Sequence, residues 1–99
     1  MAEKYVWAVI SPDDESLTDA KLMGAKPSLN ELQEAVGGYI ESIPKSWVKT
    51  GIRTMYVNEN GVSENLKPNH VVKELFDIDV EYDILGPVVV QWLPSRIVA

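Results

Sequence analysis

The stretch SLNELQEAVGGYIESIP, residues 28–44, constrains the fold more than any other part of the chain. Ser28 followed three residues later by Glu31 is a capping box: the hydroxyl accepts from the Glu31 amide while the carboxylate reaches back to the Ser28 amide. Leu29, Leu32, Ala35 and Val36 recur at helical spacing and predict one apolar stripe turned to a core. A helix this short does not persist alone in water, so it must dock. Gly37 is the natural left-handed residue after the last turn, and Gly38 lets the chain reverse closely against the helix end. YIESIP then alternates, which predicts a strand. The glycines therefore make a helix-to-strand corner. A phosphate loop needs its glycines before a helix, where the amides face the ligand, and here they follow one.

The rest of the chain supplies partners for that corner. KYVWAVIS (4–11) carries apolar side chains on both faces and predicts a central strand. LTDAKLMGAK (17–26) predicts a weaker strand, ended by Pro27. PKSWVKTG (44–51) reads as a loop and IRTMYV (52–57) as another strand. NENG (58–61) is turn chemistry, in which Asn60-Gly61 tolerates the positive φ of a tight hairpin, with VSENL as a short return strand. PNHVVKELFD (68–77) predicts a second helix, with Asn69 as N-cap and Val71, Val72, Leu75 and Phe76 on its apolar face. IDVEYDI (78–84) alternates apolar and acidic residues, and GPVVVQWL (86–93) predicts a last buried strand. Together these predict an α+β domain, a mixed and mostly antiparallel sheet with two helices packed on one face. Residues 1–99 form one domain, of ordinary size for one core, with 94–99 as a loose tail.

Composition narrows the function. With no cysteine there is no disulfide scaffold and no thiolate zinc site. A net charge of −6 argues against an electrostatic grip on nucleic acid or anionic lipid across the surface. No apolar run approaches the roughly 20 residues that span a bilayer, and the N-terminus lacks the layout of a signal peptide. The expected location is the cytoplasm.

The motifs VGGYIE, NENG and the terminal GPVVV, with LKPNHVVKEL between them, resemble those of a small domain family of unknown function found in bacteriophages, large DNA viruses and mobile elements. The resemblance spans roughly residues 28–90. It makes Gly37, Gly38, Tyr39, Ile40, Glu41, Asn58, Glu59, Gly61 and Asn69 family positions. Val71 and Val72 stand where the family has alanines, a change expected to alter packing rather than fold. The resemblance implies a setting, an accessory protein made inside a host cell, and imports no activity.

Three features invite chemistry. KSWVKTGIR gathers Lys45, Lys49 and Arg53, a third of the nine basic residues, around Trp47. Cations hold phosphates while an indole stacks on a base, and Glu41, Asn58 and Glu59 add hydrogen bonds if the strands bring them close. The plainer reading, a polar loop whose tryptophan covers a sheet edge or an oligomer contact, carries more weight. Asp77, Asp79, Glu81 and Asp83 alternate, so a strand would line them on one face. As an EF-hand they fail at the glycine and glutamate positions, and a charged face guarding an edge is the simpler account. His70 is the one histidine and has no nucleophile or metal-ligand partner at motif spacing.

No catalytic residue, metal or cofactor is nominated. Trp7, Trp47 and Trp92 are many for a chain this small. Trp7 and Trp92 fall in expected inner strands, and an outward-facing one would indicate homo-oligomer contact. The expected function is non-enzymatic: a binding module, expected to be a homo-oligomer, acting on a host component such as a host protein. One alternative captures a nucleotide-type signal through the Trp47 loop. The other is an acidic decoy of a nucleic-acid-binding host protein.

Overall fold

The last strand among the described residues is the middle of the sheet. The computed structural model describes residues 5–15, 19–24, 26–44, 51–76, 78 and 83–93. Within these, β1 (Val6–Ile10), β2 (Lys21–Leu22), β3 (Ile40–Ser42), β4 (Ile52–Asn58) and β5 (Val88–Trp92) form a sheet of order β2-β1-β5-β4-β3. All four pairings are antiparallel, so the expected mixture of directions is absent from the described strands. Val88, Val89 and Val90 are buried on both faces of the sheet. Such a valine run belongs in the interior of a sheet, and β5 takes that place between β1 and β4.

The α+β class stands, with helices α1 (Leu29–Val36) and α2 (His70–Leu75) packed against the sheet. The sequence pattern predicts both helices on one face, but they cover opposite faces of the sheet. Alternate strand residues separate two cores. Ala8, Ile10, Met55, Val88, Val90 and Trp92 gather with Val72 and Phe76 of the α2 side. Trp7, Val9, Tyr56 and Val89 gather with Leu32 and Val36 of α1. The physical reason lies in β1 and β5: strands apolar on both faces need cover on both. Trp92 packs edge-on against Phe76 at 5.9 Å between ring centroids, and half-buried Trp7 stacks on Tyr56 at 6.3 Å.

Local chemistry sets the corners. The capping box forms as expected, and Gly37 takes φ 82° with its amide donating to the Gln33 carbonyl. Leu29 departs from its expected core position and stays 60% exposed. It is the first residue of a helix only about 12 Å long, and the helix meets the sheet through Leu32 and Val36 instead. Of the strand expected over 17–26, the described residues show the two exposed residues of β2, and 17, 18 and 25 lie outside the described residues.

NENG does not make a tight hairpin, and VSENL is not a return strand. Asn60 and Gly61 avoid positive φ; Asn65 takes it, at 53°. The Leu66 amide donates to the Gly61 carbonyl and the Asn65 amide to the Val62 carbonyl, the paired bonds of a Schellman closure. The turn begins where the Asn58 Oδ1 accepts the Asn60 amide at 2.7 Å. This side-chain bond starts a short helical coil instead of a two-residue hairpin.

Asn69 is the N-cap of α2, as expected, and is 1% exposed. Its Oδ1 accepts from the Val72 amide, and its Nδ2 donates to the carbonyls of Ile10 at 2.9 Å and Gly86 at 3.0 Å. One side chain thus ties α2 to β1 and to the entry of β5. Of the acidic alternation over 77–84, residues 77 and 79–82 lie outside the described residues. Ile78, Asp83 and Ile84 fall outside any strand, Leu85 makes a single bridge to Pro68, and Ile78 and Ile84 are buried. Among the described residues no helix is long and apolar enough to cross a membrane.

Candidate binding site

The register of β3 against β4 decides where Gly38, Glu41, Asn58 and Glu59 meet. Ile40 pairs with Asn58, Glu41 with Val57 and Ser42 with Tyr56. Asn58 is 4% exposed, and its Nδ2 donates to the Val36 carbonyl at the C-terminal end of α1, at 3.1 Å. A Cβ on Gly38 would lie 2.9 Å from that same Nδ2. The glycine is required because the asparagine occupies the space. VGGYIE and NENG, which start 22 residues apart at Val36 and Asn58, are therefore one interlocked corner. Gly61 belongs to it too, since a Cβ there would come within 3.1 Å of the Leu85 Cβ.

Beside this corner, on the α2 face of the sheet, opens a cavity of about 440 Å³. Ile43, Pro44, Val57, Val62, Ile84 and Leu85 give it an apolar lining, and Glu41, Glu59 and Asp83 bring three carboxylates. All three acids are exposed. Among the described residues none of these carboxylates hydrogen-bonds or pairs with a cation, and no lysine or arginine lines the cavity. Among the described residues no three such groups come close enough to hold a metal ion. The carboxylates are spread around an apolar hollow, an arrangement that accepts a cationic group attached to an apolar one.

The backbone adds a second element. The Ile43 amide donates to the Met55 carbonyl and the Glu59 amide to the Tyr39 carbonyl. Residues 39, 41 and 43 thus face β4, and in an antiparallel ladder the alternate residues Ile40 and Ser42 turn their amides and carbonyls outward. β3 is the end of the sheet, and among the described residues no strand pairs with its outer side. Exposed Glu41 and Ser42 agree with an open edge. Tyr39 at 67% and Val62 at 84% exposure flank it with apolar surface.

The sequence-based candidates divide accordingly. Glu41, Asn58 and Glu59 are brought together around the cavity, with Asn58 spending its amide on the fold. Arg53 is placed elsewhere: exposed, with its guanidinium 5.2 Å from the centroid of the Tyr5 ring, at the start of β4 and roughly 17 Å along the strand from Asn58. Lys45, Trp47 and Lys49 lie outside the described residues, as do Asp77, Asp79 and Glu81. Ile43, Val57, Val62 and Ile84 were missed as lining residues. The signal for Ile43 was present, because a strand that places Glu41 on one face also places Ile43 there. No family model, curated protein or solved structure matches the chain.

Proposed function

We propose that this protein is a non-enzymatic binding module whose site is the cavity beside β3, and that it acts on a component of the host cell in which a phage or mobile element makes it. The observation that carries the reading is the cavity itself: an apolar hollow ringed by Glu41, Glu59 and Asp83, none of them paired among the described residues. Carboxylates with internal duties are partnered, as the Asp14 carboxylate is by the Ser11 amide at 2.8 Å. Those at the cavity have their charge to offer outward. The motif resemblance supplies the setting. A nucleotide-type ligand is the weaker reading, because three carboxylates repel phosphate and Arg53 stands away from the cavity.

The test compares the wild type with a Glu41→Lys/Glu59→Lys double variant. Both positions are exposed, so the variant keeps its fold, checked by circular dichroism. A partner identified with the wild type, rebuilt from purified components and lost with the variant, supports the site. A partner held equally by both places the site elsewhere. A turnover activity that survives purification and tracks with the chain rejects the non-enzymatic reading.

A further inference from the structure

We infer that the partner is an extended peptide segment, basic and apolar by turns, which adds to the sheet as a sixth strand along the outer edge of β3. The inference rests on the reading of the cavity as the binding site and names the class of its occupant. Its first support is the ladder arithmetic. Ile40 and Ser42 present outward amides and carbonyls to a new strand, which is how an exposed edge recruits a peptide. Its second is what lies under that strand. Residues 39, 41 and 43 share the cavity face, so partner side chains opposite Glu41 and Ile43 stand over the hollow. A lysine or arginine opposite Glu41 meets Glu41 and Glu59, and an apolar residue two positions along sits over Ile43 and Ile84.

Charge decides between this occupant and a second copy of the chain. Full overlap of two β3 strands makes Ile40 and Ser42 the hydrogen-bonded partners and sets Glu41 directly opposite Glu41 of the other copy. That is a non-hydrogen-bonded pair, where side chains are closest, and like charges there are destabilising. Each copy also carries a net charge of −6. The carboxylate that blocks self-pairing is the one that favours a basic segment. Sheet edges are commonly guarded in this way, and here the guard also selects.

The experiment titrates the peptide acetyl-Val-Thr-Lys-Thr-Val-Thr-amide into the full nitrogen-labelled chain and follows backbone amide shifts. The expected result is shifts concentrated at residues 40–43 and 57–61. Replacing the peptide lysine by glutamate should weaken binding roughly tenfold or more, the scale of one close charge pair. Glu41→Lys should reverse the preference between the two peptides. N-methylation of the amides that face β3 should abolish binding by the lysine peptide. Equal binding of the N-methylated peptide, shifts away from β3, or dimerisation through β3 each overturn strand addition. Arginine amide serves as the small-cation control. If it shifts the amides around the cavity while the peptide does not, strand addition falls and the cavity reading survives. If neither binds at millimolar concentration, both fall.

Discussion

Asn69 and the β3 edge are opposite uses of polar groups. Around Asn69 nearly everything polar is spent inward: one buried amide side chain closes the first turn of α2 and satisfies two distant carbonyls, of Ile10 in β1 and of Gly86 just before β5. At β3, two residues turn their backbone outward and three nearby carboxylates have no partner among the described residues. Burial makes an unspent polar group costly, so Asn69 is fixed by stability. Exposure removes that cost, and the acids at the cavity can be kept for a partner. The contrast separates residues that hold the fold from residues free to act.

The largest expected effect lies on the inward side. Asn69→Ala leaves the Val72 amide and the carbonyls of Ile10 and Gly86 unsatisfied, and should cost about 3–5 kcal/mol, measured by urea unfolding. A loss below about 1 kcal/mol would break the comparison. Next comes the interlocked corner. Gly38→Ala should cost about 1–2 kcal/mol by overpacking against Asn58. In an Asn58→Ala background that penalty should shrink by more than about 0.5 kcal/mol, since contacting sites are not additive. A fully additive cycle would remove Asn58 as the reason for the glycine.

On the outward side, Glu41→Lys and Glu59→Lys should each move stability by no more than about 0.5 kcal/mol, while each weakens a basic partner roughly tenfold. That binding should fall as salt rises, because the charges are exposed. The smallest effect is expected at Lys67, whose ion pair with Asp13 at 2.5 Å is exposed on both sides. Lys67→Ala should cost less than about 0.5 kcal/mol and leave partner binding unchanged.

Sequence reading reached what local chemistry fixes. The capping box, the left-handed Gly37 and the Asn69 cap each depend on residues within four positions, and β5 announced itself through its valines. The two-sided placement of the helices was implied by β1, whose apolar residues alternate onto both faces, but periodicity does not say which helix covers which face. The fold-holding role of Asn58 stayed hidden for a plainer reason. Its partner carbonyl at Val36 is 22 residues away, and an asparagine in a turn motif looks equally suited to a ligand. The cavity needed the register of β3 and the approach of Ile84, both products of tertiary pairing.

The most direct measurement is native-state hydrogen exchange of the β3 amides in the free protein. The account predicts a protected Ile43 amide, bonded to Met55, beside fast-exchanging Ile40 and Ser42 amides, because unpaired edge groups open to water without unfolding. Addition of the lysine peptide should slow those two. Protection of Ile40 and Ser42 equal to that of Ile43 in the free monomer would show the edge already covered, and would contradict the account.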